Sequence, residues 1–422
     1  MYKPAVINDG MMQKYGLRTS VMRILVTRNA YALIELELHA SSQRQMQAVW
    51  VGREEYQQFR NWDEGEADPI EAWLAEQESG VIPELRPPWL TPGWYKQAEA
   101  WIGERLMKAG IQMSGSVQQF KAGWPSACLL RVRTVQGQYF FKAAYAKPPG
   151  EARLTQVLAG LWPDIVPEPF AVDQERNWML MPDYGVTRDN QPGHGDYAKF
   201  ATTLGRFQLE ATSHMDTWLK LGCPVMDLGF MQNKDGRAGM LMERVRHALS
   251  GSPEPLDEQE IDQLHRAVEQ ARARCAALAG FSLPDTLSHL DFRPDNFFLS
   301  EGKCRLIDWA DVAVTHPFIA LCQTFHFFDK FEGEDSERHQ QYQPDPATRE
   351  AMERAYLEAF SGILPQAKAA EAFELAMSVM DYFWFLYTAS QLEIIEPGSV
   401  LADAQHHRAR TTARALIAQL ES

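Results

Sequence analysis

The chain has no uninterrupted apolar stretch of membrane-spanning length, although 45% of its 422 residues are hydrophobic. Nor do the first ten residues, which include Lys3, Asn8 and Asp9, carry the long apolar core of a signal peptide. Cysteine is scarce. The five, at positions 128, 223, 275, 304 and 322, are odd in number and form no Cys-x-x-Cys pair. That pattern argues against a disulfide framework or a structural zinc site and favours a reduced, cytoplasmic setting. Positive charge is also short: 41 Lys and Arg face 56 Asp and Glu, leaving −15, so general nucleic-acid binding is disfavoured. An acidic surface suits a cationic ligand and serves solubility equally well. No internal repeat or low-complexity segment is present. A chain of this length exceeds one compact core, and two or three units are expected.

One segment concentrates the chemistry. Ser288-His289-Leu290-Asp291-Phe292-Arg293-Pro294-Asp295-Asn296 leads into Phe297-Phe298-Leu299, and Cys304-Arg305-Leu306-Ile307-Asp308-Trp309 follows. His, Asp and Asn at the His-x-Asp-x-x-x-x-Asn spacing, then an Asp ending an apolar strand, is how kinases place a base and two magnesium ligands on adjoining loops. Phosphoryl transfer needs little covalent help, so such a site mainly orients a hydroxyl, holds the metal and neutralises charge. Asp291 is the candidate base, and Asn296 and Asp308 offer the hard oxygens that magnesium prefers. His289 is expected to orient the loop by hydrogen bonding. A second His-x-Asp, at His194-Gly195-Asp196, has Ala201 where Asn is required; Asp196 is expected to cap a helix beginning near Tyr197 instead.

On these residues, positions 288–311 resemble the catalytic and metal loops of the aminoglycoside phosphotransferase family, whose relatives include choline kinases. The Arg293-Pro294-Asp295 loop, and Ile307-Asp308-Trp309 in place of Asp-Phe-Gly, favour this branch over protein kinases. The resemblance implies an α+β, bilobal, protein-kinase-like fold, with ATP and Mg2+ as cofactors and a small-molecule hydroxyl as acceptor. Family members often carry a further Asp in a segment resembling Asp-Pro-x-x-Asp-Leu-Ala. Here the segment reads His316-Pro317-Phe318-Ile319-Ala320-Leu321, which leaves Asp311 or His316 as the candidate brace for the catalytic loop.

A kinase-like fold also needs an antiparallel sheet that carries a lysine. Val117–Lys121, Cys128–Arg133 and Tyr139–Ala143 are expected as three strands, with backbone near Ser126 as a weak phosphate contact. Lys142 follows three aromatics on its strand and needs an anionic partner if buried; a phosphate and Glu151 are the candidates. Asn177–Met181, broken at Pro182, is expected to join the lobes, with adenine reading backbone groups near Met181 and Asp183.

The domain expectation is an accessory α+β domain at 1–88, a nucleotide-binding lobe at 89–184 and a helical lobe at 185–422. In the first, Ser20–Thr27, Ala32–Leu38 and Ala48–Val51 are expected as strands, Pro69–Glu76 as a helix, and Pro83 to Pro92 as a linker. Arg53-Glu54-Glu55 lacks the glycine and longer acidic spacing of a nudix helix. The charged run Asp329–Glu337 is expected as a solvated loop. Helices are expected over 198–215, 257–279, 348–360, 369–393 and 402–420, with the aromatic stripe Tyr382–Tyr387 as core. Two other functions fit the same residues: a nucleotide-binding pseudokinase that recruits a partner, and nucleotidyl transfer.

Overall fold

The computed structural model describes residues 4–28, 31–41, 51–59, 69–124, 127–145, 148–185, 193–250, 254–293, 295–330, 344–397 and 399–420. The chain forms two compact units. The first comprises Met1–Tyr145, Trp178–Asp183 and Ile394–Ala404; the second comprises Ala146–Asn177, Tyr184–Glu393 and Gln405–Ser422.

The first unit opens with helix α1 (Pro4–Tyr15) and a long antiparallel hairpin, β1 (Leu17–Arg28) and β2 (Tyr31–Ser41). The third strand expected there falls largely on residues outside those described. Two helices, α2 (Arg53–Phe59) and α3 (Pro69–Ser79), precede α4 (Trp94–Lys108). Next come β3 (Gln118–Trp124), β4 (Ala127–Thr134) and β5 (Gly137–Ala144). After α5 (Glu151–Leu161) and β6 (Ala171–Asp173) of the second unit, β7 (Trp178–Pro182) returns to pair with β5.

Strand alternation sorts the two faces of the β3-β4-β5-β7 array. Cys128, Leu130, Val132, Phe141, Ala143, Trp178 and Leu180 are all buried. Against this face α4 sets Trp94 and Trp101, whose rings lie 5.7–6.1 Å from Phe141 and Trp178, tilted or edge-on. These are favourable aromatic arrangements, and they make α4 part of the sheet's core. The apolar positions of α4, at 94, 95, 98, 101, 102 and 106, follow helical spacing although no helix was expected there. The hairpin is tied to the same sheet by one buried side chain. Gln119 on β3 accepts the Val21 N–H and donates to the Val21 C=O, both at 2.8 Å. The proline-rich segment at which a boundary is expected therefore lies inside this unit. Arg86 joins Ile394–Ala404 to it by bonding Glu76 and Glu396.

The second unit is mostly helical. It contains α6 (His194–Ala211), α7 (Met215–Leu221), α8 (Leu228–Gln232), α9 (Arg237–Ser250) and α10 (Glu258–Ala279). Two small hairpin-like pairs follow, built from β8 (Thr286–His289), β9 (Phe297–Ser300), β10 (Lys303–Leu306) and β11 (Val312–Thr315). The remaining helices are α11 (Ile319–Lys330), α12 (Pro346–Glu358), α13 (Gln366–Ser378), α14 (Met380–Gln391) and α15 (Val400–Ala418). One core runs through them, with Phe207, Trp218, Phe297, Trp309, Phe318 and Tyr382 fully enclosed. Asp257 caps α10 with Glu260 in a reciprocal box.

Two details differ from expectation. The helix expected over 369–393 is two, because Val379 leaves helical geometry at φ −103° and ψ 1°. Asp196 is not the cap of α6; Gly193 is, and Asp196 sits in the first turn, where its carboxylate meets Lys199.

Candidate active site

The candidate catalytic segment is held between two strand pairs. Every residue of β8 is buried, and β8 pairs antiparallel with β11 so that His289 lies opposite Val312. At the strand end the Leu290 N–H donates to the Asp311 C=O at 2.8 Å. The chain then turns, the Asn296 N–H closing on the Arg293 C=O at 2.8 Å, and re-enters as β9. The Ile307 N–H reaches the Asn296 C=O at 2.9 Å, bringing the end of the β9–β10 hairpin beside the loop. One residue on, Asp308 adopts φ +64°, a conformation that L side chains rarely take. Such strain persists only where neighbouring structure enforces it, and it takes Asp308 out of the strand's side-chain alternation.

Asp291 is clasped from two sides. Asn296 Nδ2 donates to its Oδ2 at 2.7 Å and to its backbone C=O at 2.8 Å. Arg293 Nε lies 3.0 Å from Oδ1 and 3.1 Å from Oδ2. Burial pushes the Asp291 carboxyl up to about 7; the Arg293 guanidinium opposes this, and the charges of Asp308 and Asp311 add to it. His289 is fully buried, its Nδ1 accepting the Asp291 N–H at 3.2 Å while Nε2 lies 3.0 Å from the Ile307 C=O. These partners assign the proton to Nε2, so the ring bridges the two loops as a neutral imidazole.

The loop is braced by residues far away in sequence. Thr324 on α11 donates its hydroxyl to the Phe292 C=O. From α6, Gln208 donates to Ser288 Oγ at 2.8 Å and to the Pro317 C=O at 3.0 Å, while accepting the Tyr356 hydroxyl at 2.6 Å. Of the two braces expected, Asp311 reaches the loop through its backbone. His316 turns inward: its Nδ1 accepts the Phe318 N–H, and burial pushes its ring down to about 3, keeping it neutral. Thr324 and Gln208 were not singled out from sequence, and Arg293, inside the motif, was noted only as part of the Arg293-Pro294-Asp295 loop. The other two are separated from their partners by tens of residues and leave no local signal.

The nucleotide-side candidates divide between the units. In the first, Lys142 is 8% exposed on β5, directly opposite Leu129 on β4 and Met179 on β7. Phe140, two residues back on the same face, lies opposite Arg131 and Met181. Its ring packs 5.5 Å from Phe120. Adenine is expected to read backbone groups near Met181 and Asp183; the Asp183 N–H donates to the Gln138 C=O at 2.9 Å and so extends the strand pair. Ser126 lies outside the described residues. In the second unit Glu151 is buried as the first residue of α5, where Asn177 Oδ1 accepts the Ala152 N–H at 2.8 Å.

Magnesium fits the donor chemistry of the loops. With its Nδ2 committed to Asp291, Asn296 offers Oδ1, and Asp308 supplies a carboxylate from the neighbouring loop. Magnesium is commonly held by one or two such protein oxygens, with phosphate and water completing its shell. Among the described residues there is no cluster of three or more His, Cys, Asp or Glu arranged to hold a metal.

A family model described as the phosphotransferase enzyme family matches residues 116–359, more than half of the chain. No curated protein matches. Among solved structures, the chain is similar to a choline/ethanolamine kinase family protein from Mesorhizobium loti, with 16% identity over 77% of this chain and 98% of that one and a TM-score of 0.47. It is also similar to choline kinase from Cryptosporidium parvum, with 14% identity over 83% and 97% and a TM-score of 0.45. The GDP and kanamycin complex of an aminoglycoside phosphotransferase gives 15% identity over 76% and 98%, with a TM-score of 0.46.

Proposed function

Because the chain belongs to the phosphotransferase enzyme family, we propose that it is an ATP- and magnesium-dependent kinase that phosphorylates a hydroxyl group of a small molecule. The observation that carries this reading is the clasp on Asp291: one amide holds both the carboxylate and the loop backbone, and the backbone of the same Asn296 is bonded to Ile307, next to Asp308. Asp291 receives the acceptor proton. Its environment suits that task, since a carboxyl pushed up to about 7 takes a proton readily near neutral pH. Arg293 and Asn296 fix the direction in which the carboxylate points, and His289 keeps the two loops in register.

Asn296 and Asp308 would hold magnesium; ATP and magnesium supply the transferable group and the charge neutralisation that its departure needs. Lys142 would neutralise nucleotide phosphates, and the face carrying Phe140, Met179 and Met181 would meet the base. The acceptor class is a small hydroxylated compound, and the acidic composition is compatible with one that carries an amine.

The test is mass spectrometry of products after incubating the protein with ATP, magnesium and a panel of amino alcohols, aminoglycosides, sugars and nucleosides. A gain of about 80 Da on one acceptor, lost in Asp291→Asn, is expected. A gain matching a whole nucleotidyl group, or unchanged product from Asp291→Asn, would overturn the assignment.

A further inference from the structure

Helix α14 is almost wholly enclosed, with Tyr382, Phe383, Phe385 and Leu386 in the core. The aromatic stripe expected to be core is therefore core in part. From Met380 to Ala389 only Trp384 and Tyr387 are half-buried; three residues apart, they share one face of the helix. Their rings meet edge-on at 5.3 Å, and His326 of α11 stacks on Trp384 at 6.2 Å. At the end of this row the Tyr387 hydroxyl donates to Asp311 Oδ1 at 2.5 Å. Asp311 is the residue whose backbone C=O accepts the Leu290 N–H and so anchors the entry to the catalytic loop.

We propose that Tyr387 is a positioning residue for phosphoryl transfer: its hydroxyl fixes Asp311, and through Asp311 it fixes the strand end from which Asp291 projects. The proposal rests on the phosphotransferase reading and deepens it, because it couples the accessible aromatic face of α14 to the base. Two features of the geometry support it. A charge-assisted hydrogen bond to a carboxylate is stronger and more directional than a neutral one, so it is suited to holding a turn. Burial and the neighbouring Asp311 and Asp291 charges also keep the phenol well above its ordinary value, so Tyr387 stays a donor throughout the physiological range. Nothing in the local sequence signals the link, since 76 residues separate the partners.

The experiment uses the full chain, with MgATP turnover measured in the presence of water and of the acceptor panel described above. Tyr387→Phe keeps the ring and removes only the hydroxyl. The expected result is a kcat lower by about 10- to 100-fold, a KM for MgATP within about twofold, and a melting temperature within about 2 °C of wild type. Hydrogen exchange at the Leu290 amide should accelerate about tenfold while core amides are unchanged. Adding Asp311→Ala to Tyr387→Phe should cost less than about a further twofold, because both changes break one link. Full kcat in Tyr387→Phe, unchanged exchange at Leu290, or fully additive losses would each overturn the positioning role. A wild-type chain that turns over no nucleotide overturns the phosphotransferase reading itself, and the exchange measurement separates that failure from this one.

Discussion

Glu76 in the sheet-bearing unit and Asp291 in the helical unit are both partly buried carboxylates, and their surroundings drive them in opposite directions. Hydrogen bonds from the Arg86 and Arg23 guanidiniums hold Glu76 down to about 2 despite its burial. Asp291 is pushed up to about 7 by burial, with Arg293 and the Asn296 hydrogen bond opposing and the Asp308 and Asp311 charges adding to it. An acid wrapped by cations has nothing left to exchange and acts as a strut. An acid facing other acids is ready to take up a proton or to share a cation, the signature of a chemical site. The same functional group is thus driven in opposite directions in the two units.

The comparison breaks first at Asp291. Asp291→Asn should lower kcat by about 10²- to 10⁴-fold, the range ascribed to a positioned base, with little change in the far-ultraviolet circular dichroism. Retention of full activity would make Asp291 another strut. Asp308→Asn should follow, lowering activity at fixed magnesium by about 10- to 100-fold or more and raising the magnesium concentration for half-maximal rate. An unaltered magnesium titration would remove Asp308 from the metal. Lys142→Met comes third, with a KM for ATP about tenfold higher, the scale of one lost charge-assisted contact.

Glu76→Gln should leave kcat alone and cost about 1–3 kcal/mol in urea unfolding, because Arg86 is buried and loses part of its compensation. The smallest effects lie in the pH dependence of melting, and their signs are opposite. The contribution of the Glu76 network is present above the ordinary carboxylate range and is lost as pH falls toward 2. For Asp291 the folded value is raised, so in metal-free protein its stabilising contribution is present at acid pH and is lost as pH rises through 7. Metal-free Asp291→Asn should accordingly melt about 2 °C or more above wild type at pH 8, and the gap should close near pH 4. A gap that widens toward acid would reverse the assignment.

What sequence alone conveyed divides along physical lines. His289, Asp291, Asn296 and Asp308 stand out as candidates because their spacings are short and fixed, and the structure brings the segment's two loops side by side through the Ile307–Asn296 bond. The sheet strands were legible because alternation sorts buried Leu130 and Val132 from their neighbours. The braces were not: Gln208, Thr324 and Tyr387 act across tens of residues, and each is an ordinary polar residue on a helix. The attachment of the first hairpin was equally hidden, since it includes the hydrogen bonds of Gln119 to Val21 and of the Gly93 N–H to Glu37. The unexpected α4 is a different case: its apolar positions keep helical spacing, but it directly follows a proline-rich segment that reads as a linker.

The claim on which the rest depends is that Asn296 and Asp308 share one divalent cation beside Asp291. Anomalous diffraction from crystals grown with manganese and a non-hydrolysable ATP analogue tests it directly. The account predicts a manganese peak within about 2.0–2.3 Å of both Asn296 Oδ1 and an Asp308 carboxylate oxygen, with nucleotide phosphate completing the shell. A nucleotide-bound crystal whose manganese lies elsewhere, or whose Asn296 and Asp308 contact no metal, would contradict it.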